Sequence, residues 1–493
     1  MTISELLRGL DVTKKTGPLD VEIKGIAYDS RLAGKVFLFV AVRGFAADGH
    51  DYINDAISRG AVAIVTDEAA GINITEQLIS NNELTHITVS DSRKALALLS
   101  AAFYGYPSNS LSLVGITGTN GKTTTSYITK SILEAWGKNA GLLGTIQYII
   151  GGRSIDSPRT TPESLDVQKY LREMLDNNAD YAVLEVSSHA LMLDRVEGCS
   201  FKVAAFTNFS QDHLDFHETM EEYFSAKRKL FSHLSEDGSA VLNIDDPMLS
   251  RLARELSCNV ITCGLEEGAM IRAENINVQK GLSFDVCTPE GRFRVESEFI
   301  GGFNLYNLLI AIGIAHSLGI KEEIIQKGIS EARPASGRFE SIAEGQEFLC
   351  IVDYAHTEDA LRKVIVEARK ITEGRLVTVF GCGGDRDRTK RPLMGAAASE
   401  LSDVVIVTSD NPRTEEPMGI IREILQGMKK DNYTVQPDRA EAIQMAVSGA
   451  KRGDTVLVLG KGHEDYQEIQ GVRYTFSDQD VLRKAIKEII WRI

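Results

Sequence analysis

A glycine-rich segment between an apolar run and a helical stretch constrains the fold of this 493-residue chain most strongly. Residues 112–116 are predicted to form a buried strand, and residues 118–124 (GTNGKTT) lead from it into a predicted helix over residues 126–136. Glycines let backbone N–H groups turn towards phosphate oxygens, a lysine supplies positive charge, and a threonine hydroxyl can bind magnesium. The strict pattern has glycine five residues before Gly121, where this chain has Ile116. The segment therefore predicts a variant phosphate loop.

Short β-branched runs alternate with turns and helical stretches along the chain, which predicts an α/β fold with parallel sheets. The predicted strands are residues 112–116, 181–186, 202–206, 240–244, 348–352, 376–380, 404–407 and 455–459. Turn-rich segments near residues 104–110 and 333–337 indicate boundaries. We expect three domains, over residues 1–107, 108–335 and 336–493.

The acidic composition limits the classes of partner. The chain has 69 Asp and Glu residues against 54 Lys and Arg residues, a formal charge of -15. This charge repels polyphosphate backbones, so we expect no nucleic-acid partner. Without a signal peptide or an apolar stretch of about 18 residues, the chain is expected to be cytoplasmic, with no membrane contact. The six cysteines form no C-x-x-C pair, which disfavours a zinc site or a disulfide framework.

Two further strand ends carry residues that could bind a cation. Glu185 follows an apolar run, where a carboxylate that polarises Mg²⁺ would lie, although by itself it could equally cap a helix. The next predicted strand is followed by the run TNFSQDHLD at residues 207–215, which contains His213. A single histidine in such a run is more often structural than a ligand, so His213 gains weight only from its acidic neighbours.

One lysine lies on the apolar face of a predicted helix over residues 219–234. Lys227 falls within a stripe formed by Met220, Phe224, Phe231 and Leu234. A charged lysine on a buried face is costly unless it reaches solvent, pairs with an anion or changes chemically. Reaching solvent is the commonest outcome. A carbamate formed with CO₂ would instead make an anionic metal ligand, and it requires the neutral amine that burial favours.

Four motifs, in order and spacing, resemble those of the ATP-dependent Mur ligases, which build the peptide stem of peptidoglycan. They are GTNGKTT at residues 118–124, EVSSHAL at 185–191, TNFSQDHLD at 207–215 and YFSAKRKLF at 223–231. The resemblance runs from Asp29 to about Gln467. It implies a small N-terminal α/β domain, a central domain with the parallel sheet of P-loop ATPases and a Rossmann-like C-terminal domain.

The resemblance also implies which residues bind ATP and metal. The implied ATP contacts are Gly118, Thr119, Asn120, Gly121, Lys122, Thr123, Thr124, Asn304, Arg338 and Asp353. Thr123 and Glu185 are similar to ligands of one Mg²⁺ ion, and His213 with a carbamate on Lys227 to ligands of a second. The implied catalytic residues are Lys122, Glu185, His213 and Lys227.

The nucleotide-sugar contacts implied by the resemblance lie in the first two domains. They are Tyr28, Ser30, Phe45, Ala46, Ala47, Thr160, Thr161, Ser187 and Arg195. Two positions depart from the family pattern. Arg159 stands where an asparagine often precedes the paired threonines, and Leu193 stands where a glutamine often lies two residues before Arg195. Either change could reroute a substrate hydrogen bond.

The third domain resembles the family branch that adds meso-diaminopimelate. The implied contacts are Arg386, Asp410, Asn411, Pro412, Arg413, Gly460 and Glu464. The run Asp-Asn-Pro-Arg at residues 410–413 discriminates this branch from lysine-adding members, which lack the arginine. A guanidinium suits the second carboxylate that distinguishes diaminopimelate from lysine.

The implied reaction joins meso-diaminopimelate to the γ-carboxyl of D-glutamate in UDP-MurNAc-L-Ala-D-Glu through an acyl phosphate, by a protein expected to be a monomer. A lysine-adding ligase, a folylpolyglutamate synthetase and a nucleotide-gated binding protein are the alternatives. Arg413 argues against the first, and the separate domain before residue 108 argues against the second. Three ligand-contact turns in the last domain argue against a switch.

Overall fold

The computed structural model of the protein describes residues 1–45, 47–68, 84–212, 216–278 and 281–490. The chain divides into two compact units. The first contains Met1–Arg272 and Leu309–Gly328, and the second contains Ala273–Leu308 and Ile329–Ile493. The three predicted domain ranges stay predictions.

Helices and strands alternate through both units. The helices are Ile3–Leu6, Ile53–Ser58, Ser92–Phe103, Lys122–Ala135, Ser164–Asp176, Ser188–Met192, Met220–Arg228, Pro247–Glu255, Gly302–Ser317, Glu322–Glu331, Glu358–Lys370, Lys390–Leu401, Pro417–Leu425, Arg439–Gly449 and Asp478–Ile490. The strands before residue 200 are β1 (Val12–Thr16), β2 (Gly25–Ala27), β3 (Phe37–Val40), β4 (Ala61–Asp67), β5 (Thr85–Val89), β6 (Ser112–Thr117), β7 (Ala140–Leu143), β8 (Gln147–Ile150), β9 (Arg153–Asp156) and β10 (Tyr181–Glu185).

The later strands follow in the same alternation. They are β11 (Phe201–Phe206), β12 (Leu234–Asn243), β13 (Asn259–Gly264), β14 (Ile271–Asn277), β15 (Leu282–Thr288), β16 (Gly291–Ser297), β17 (Glu340–Ser341), β18 (Leu349–Asp353), β19 (Leu376–Phe380), β20 (Val404–Val407), β21 (Tyr433–Val435), β22 (Thr455–Leu459), β23 (Tyr466–Ile469) and β24 (Val472–Thr475).

The first unit contains two sheets. A five-stranded sheet has the order β1-β5-β4-β3-β2 and is parallel apart from β1. The larger sheet has the order β13-β12-β11-β6-β10-β7-β8-β9, with parallel pairing from β13 to β7. The strands β6, β10 and β11 are almost entirely buried, as expected of parallel strands covered on both faces. Their carboxyl ends therefore meet at one edge of the sheet.

The second unit contains a six-stranded sheet with the order β17-β18-β22-β19-β20-β21, in which only β17 is antiparallel. Two antiparallel hairpins, β15–β16 and β23–β24, belong to the same unit. Among the described residues, no helix combines the length and the apolar character that a membrane span requires.

The prediction of an α/β fold with parallel sheets is confirmed, and all eight predicted strands form. The bounds of β19, β20 and β22 agree with the prediction residue for residue. The helix after the glycine loop begins at Lys122, four residues before the predicted start, because Gly121 has a φ of 85° and ends the loop there. The predicted helix over residues 219–234 is α-helical only over Met220–Arg228 and continues as 3₁₀ helix over Lys229–His233.

A fully buried ion pair joins the last two helices of the second unit. The side chains of Arg439 and Asp478 are both 0% exposed, and two guanidinium nitrogens donate to the two carboxylate oxygens at 2.7 Å. The guanidinium also donates to the carbonyl of Ser409, two residues beyond β20, and to that of Leu459, the last residue of β22. The pair thus ties two helices to the strand ends where ligands are expected.

We predict that Arg439→Met lowers the free energy of unfolding of the second unit by about 3–5 kcal/mol, because it leaves Asp478 charged and buried without its partner. Urea titration followed by circular dichroism measures the loss. The double replacement Arg439→Met with Asp478→Leu should lose less, since no unpaired charge remains. The exposed pair of Arg292 and Glu274 is the control, and Arg292→Met should cost less than about 1 kcal/mol. Equal losses at Arg439 and Arg292 would contradict the prediction.

Candidate functional site

The glycine loop curls around the carbonyl oxygen of Gly118. Gly118 has a φ of 146°, and a Cβ there would overlap the hydroxyl of Thr207. Lys122 Nζ donates to the carbonyl oxygens of Gly118 and Thr119 at 2.9 and 3.0 Å. All seven residues predicted from Gly118 to Thr124 lie in this turn or in the first residues of its helix. The lysine ammonium is thus held over the loop where a phosphate group would lie.

Glu185 is a buried carboxylate at the end of β10, and its exposed fraction is 0%. The hydroxyl of Thr123 donates to Oε2 at 2.8 Å, and Thr145 donates its N–H to Oε1 at 2.9 Å and its hydroxyl to Oε2 at 2.8 Å. A Cβ at Gly144 would overlap Oε1. A carboxylate and a hydroxyl of this kind are the oxygen donors that Mg²⁺ prefers. The predicted pair of Thr123 and Glu185 is therefore in contact and chemically suited to that ion.

The paired threonines lie beside the same carboxylate. Thr160 Oγ1 is 3.1 Å from Thr145 Oγ1. Thr161 donates its hydroxyl to the carbonyl of Glu185 at 2.8 Å and accepts from the N–H of Ser187 at 3.1 Å. Thr145 was not predicted, although it lies two residues after the end of β7 and so satisfies the same strand-end rule that selected Glu185.

Arg195 is held close to this cluster by an acidic neighbour. Its guanidinium donates to the carbonyl of Thr161 at 3.1 Å and to Glu163 Oε1 at 2.7 Å. Among the described residues, no acceptor reaches its buried Nε. Arg159, one of the two departures from the family pattern, contacts the same Glu163 oxygen. The arginine at position 159 therefore shares the carboxylate that orients Arg195.

Lys227 is buried, as predicted, with 1% of its surface exposed. Its Nζ donates to the carbonyl of Gly118 at 2.8 Å, the oxygen that also accepts from Lys122. Burial lowers the pKa of Lys227 well below its usual value, and the nearby charge of Lys122 lowers it further, while Asp212 opposes both effects. The helix therefore places at the glycine loop an amine whose burial favours the neutral form.

The predicted stripe on this helix differs from the buried face. The most buried neighbours of Lys227 are Tyr223, Ala226 and Leu230, whereas Phe224 is only partly buried. An apolar face spans more than 100° of a helix, so Phe224 packs at the edge of the core and Tyr223 at its centre. The Tyr223 hydroxyl lies 3.3 Å from Thr119 Oγ1, which links the helix to the loop a second time.

Two predicted residues, Ala46 and His213, lie outside the described residues. Within the described ranges, no three His, Cys, Asp or Glu side chains lie close enough to form a metal site. Directly after residues 213–215, which lie outside the described ranges, the ring of Phe216 contacts the ring of His189 with centroids 4.1 Å apart.

The predicted nucleotide-sugar contacts beside the five-stranded sheet lie in different environments. The Tyr28 hydroxyl donates to Asp166 at 2.9 Å, and burial together with that carboxylate raises the Tyr28 pKa. Ser30 is buried at the start of a 3₁₀ turn. Phe45 is 78% exposed and contacts Phe216 edge to face, and Ala47 is exposed in the same loop. Phe45 therefore offers an aromatic face to solvent, whereas the Tyr28 hydroxyl is already paired.

Three predicted nucleotide contacts lie in the second unit. Asn304 is 1% exposed; it donates to the carbonyl of Ile300 and accepts from Asn307, so both ends of its amide are used internally. The Asp353 carboxylate accepts the N–H groups of Phe339 and Ala355 at 2.7 and 2.8 Å. Burial raises the pKa of Asp353, and Arg338 opposes that rise.

Arg338 lies over the ring of Tyr354 at 5.0 Å, and among the described residues no acceptor reaches its buried Nε. The Tyr354 ring also contacts His463 at 5.1 Å. This histidine follows Gly460 by three residues, and burial lowers its pKa to about 4, so it is neutral near pH 7. Tyr354 therefore joins a predicted nucleotide contact to the predicted amino-acid motif.

The predicted amino-acid residues meet at the carboxyl ends of β20 and β22. Asn411 Nδ2 donates to Glu464 Oε2 at 2.7 Å, and a Cβ at Gly460 would contact Asp410 Oδ2. Pro412 is buried in the same loop. Arg413 has a φ of 50° and donates from Nη1 to the carbonyl of Gly384 at 2.6 Å. Because a guanidinium has five N–H donors, others remain for a ligand.

Arg386, by contrast, has an exposed side chain in the neighbouring loop. Two buried basic side chains beside these loops were not predicted. Arg391 is fully buried and pairs with Glu415 and Glu423, and Lys461 is fully buried beside Asn411 and Glu464. Only their position next to the predicted amino-acid contacts could have indicated that these two side chains are buried, because a basic residue near a turn is usually exposed.

Comparisons with known proteins bear on this arrangement. Three family models match: "Mur ligase family, catalytic domain" over residues 22–104, "Mur ligase middle domain" over 116–315 and "Mur ligase, glutamate ligase domain" over 337–462. A Clostridium botulinum protein named UDP-N-acetylmuramoyl-L-alanyl-D-glutamate–2,6-diaminopimelate ligase is 45% identical over 471 residues, which cover 95% of this chain and 96% of that protein.

Solved structures give the same picture. The structure of a ligase of that name aligns at 30% identity with a TM-score of 0.72 and covers 99% of both chains. MurF ligase from Thermotoga maritima, solved in complex with ADP, is 20% identical with a TM-score of 0.61, covers 97% of this chain and 100% of its own, and shows the fold alone. The resemblance carried by the four motifs is confirmed, and the chain belongs to the Mur ligase family.

Proposed function

We propose that this chain is the ATP-dependent ligase that adds meso-diaminopimelate to the D-glutamate γ-carboxyl of UDP-MurNAc-L-Ala-D-Glu in peptidoglycan precursor synthesis. The observation that carries the substrate choice is the loop at residues 410–413, in which Asn411 contacts Glu464 and Arg413 follows two residues later, paired with Glu468. A guanidinium suits a carboxylate, and a carboxylate suits an ammonium group. Diaminopimelate presents both groups at its far end, whereas lysine presents only the ammonium group there.

The reaction needs ATP because a carboxylate does not react with an amine directly. A carboxylate oxygen of the substrate attacks the γ-phosphorus, the bond to the ADP oxygen breaks, and an acyl phosphate forms. The amine nitrogen then attacks the acyl carbon, loses a proton and expels phosphate. Backbone N–H groups of residues 118–124 would hold the phosphates, and Lys122 would leave the Gly118 carbonyl to neutralise them.

Two Mg²⁺ ions are part of the proposal. Thr123 and Glu185 would hold one, since their oxygen atoms are already in contact. His213 and a carbamate on Lys227 would hold the other. Bound Mg²⁺ neutralises charge on the transferring phosphoryl group. Thr145 keeps the Glu185 carboxylate oriented from the other side.

The carbamate on Lys227 is supported by the buried setting of the amine. Its nitrogen would form a bond to the carbon of CO₂ and release one proton, which requires the unprotonated form. The carbonyl of Gly118 already fixes the nitrogen at the phosphate loop. The carbamate would place a negative charge where a ligand for the second Mg²⁺ ion is needed.

The remaining predicted contacts are proposed with the same reaction. Asn304, Arg338 and Asp353 of the second unit are proposed to contact ATP. The proposed nucleotide-sugar contacts are Tyr28, Ser30, Phe45, Ala46, Ala47, Thr160, Thr161, Ser187 and Arg195. The unsatisfied Nε of Arg195 supports its role, because a buried donor without an acceptor is costly unless a ligand supplies one. Arg386, Asp410, Asn411, Pro412, Arg413, Gly460 and Glu464 are proposed to contact diaminopimelate.

We predict that Arg413→Lys raises the KM for diaminopimelate by about 10- to 100-fold and leaves the KM for ATP unchanged, because an ammonium cannot form the two parallel hydrogen bonds of a guanidinium. Phosphate release with ATP, the UDP-linked dipeptide and either diaminopimelate or lysine measures both constants. Arg388→Lys is the matched control, since Arg388 is exposed and contacts Glu423. Faster turnover of lysine than of diaminopimelate by the unsubstituted chain would overturn the substrate assignment.

We predict that Lys227→Ala abolishes ligation at neutral pH. Bicarbonate should not restore activity, whereas a small carboxylic acid should restore it weakly by supplying the missing anion. With ¹³C-labelled bicarbonate, NMR of the unsubstituted chain should show a carbamate carbon that Lys227→Ala lacks. The exposed neighbour Lys229 provides the control, and Lys229→Ala should keep both the signal and the activity. Full activity of Lys227→Ala would exclude the ligand role.

A further inference from the structure

Lys461 is a fully buried lysine directly after β22, and the mechanism above does not use it. Its side chain is 0% exposed. Its Nζ donates to Asn411 Oδ1 at 3.2 Å, to Glu464 Oε2 at 3.1 Å and to the carbonyl of Tyr466. The three acceptors belong to three chain segments: the loop after β20, the turn after β22 and the strand β23. One ammonium group therefore joins the loop at residues 410–413 to the turn with Gly460 and Glu464, and these two segments carry all the proposed amino-acid contacts except Arg386.

The hydrogen bonds of Lys461 fix the orientation of Asn411. Asn411 Oδ1 accepts from Lys461 Nζ and from the N–H of Glu468 at 2.9 Å, so Nδ2 must point to Glu464. An amide with its oxygen between two donors cannot flip without losing both bonds. The strand β23 reinforces the same loop, because Gln467 donates to the carbonyl of Asp410 at 2.7 Å.

The same ammonium also fixes one oxygen of Glu464. Both Lys461 Nζ and Asn411 Nδ2 donate to Oε2. Among the described residues, none donates a hydrogen bond to Oε1. Glu464 keeps 17% of its side chain exposed while Lys461 is fully enclosed. The carboxylate is thus anchored through one oxygen and presents the other to a ligand.

Burial of a lysine needs a reason, since the charge loses its hydration on folding. An apolar side chain would fill the same volume without that cost. Lys461 recovers the cost through the three acceptors, two of which are proposed ligand contacts, and through the ring of Tyr466, whose centroid is 5.4 Å from Nζ. The burial of Lys461 is therefore explained by the two side chains that it orients, Asn411 and Glu464.

We propose that Lys461 is a positioning residue of the amino-acid site, which presents Glu464 Oε1 to the ammonium group of the amino-acid substrate. The proposal rests on the function proposed above and goes beyond it by naming how that site is held. Lys461 does not itself contact the substrate. Its effect should therefore appear in amino-acid binding and should depend on Glu464.

The test is a double-mutant cycle with Lys461→Met and Glu464→Gln, with KM measured for the amino acid, for ATP and for the UDP-linked dipeptide. We expect Lys461→Met to raise the KM for diaminopimelate about 10- to 100-fold, as for loss of hydrogen bonds to a charged group, and to leave the other two constants unchanged. In the Glu464→Gln background the same change should alter that KM by less than about threefold. Equal effects in both backgrounds, or a parallel rise of all three constants, would overturn the proposal.

Controls separate positioning from folding. Arg375→Met removes an ion pair with the largely buried Asp454 at the opposite end of β22, so it should lower the melting temperature without changing the KM for the amino acid. If Lys461→Met does not fold, Lys461→Gln serves in its place, because its amide is polar but has only two N–H donors on a shorter side chain and cannot serve all three acceptors, and the same cycle decides.

Assays of the unsubstituted chain distinguish a failure of the proposed function from a failure of the positioning role of Lys461. Turnover of diaminopimelate supports the proposed function before any variant is made. If the chain turns over lysine instead, the substrate assignment fails, and the cycle is measured with lysine, whose ammonium group is the same. If no amino acid stimulates phosphate release, both proposals fail.

Discussion

Parallel pairing of β6 with β10 and β11 is the constraint on which the first unit depends. The register places Glu185 beside Ile116 and Phe206 beside Thr117, so three strands end at the same level. The phosphate loop, the buried carboxylate and the turn after β11 therefore start from one edge. The overlap that a side chain at Gly118 would make with Thr207 shows how closely these turns approach. If one of these strands slipped by a residue, its side chains would exchange faces, and the loop at its end would lose its place beside the other two.

Buried basic side chains are the second recurring feature of this acidic chain. Lys227 lies under the phosphate loop, Lys461 under the amino-acid loops, and Arg439 under the ends of β20 and β22. Each donates to backbone carbonyls or carboxylates close to a strand end. Net charge therefore says little about where this chain could bind an anion, because single basic side chains at strand ends set the local field. Their burial also makes their hydrogen bonds strong and their loss costly.

The sequence predicted strands better than helices or side-chain contacts. Fully buried parallel strands appear as continuous β-branched runs, and β19, β20 and β22 were found without error. The helix carrying Lys227 was predicted too long, because the same apolar periodicity continues through a 3₁₀ turn that ends it. Glu185 was selected from its place after a strand, yet Thr145 satisfies the same rule and was missed. Partners far apart in sequence, such as Arg195 with Glu163 or Asn411 with Glu464, left no local signal.

The sequence by itself determined the fold class, the position of the glycine loop and the family, because these depend on local periodicity and on short motifs of defined residue types. It also indicated that Lys227 is buried, since helical spacing is a local property. Only the tertiary structure decided what each buried charge contacts. Lys461 looks like one residue of a glycine-rich turn, and it becomes the common partner of three segments because folding brings Asn411 and Tyr466 to the same ammonium group. Long-range pairing is set by the packing of whole elements, which no single stretch of sequence encodes.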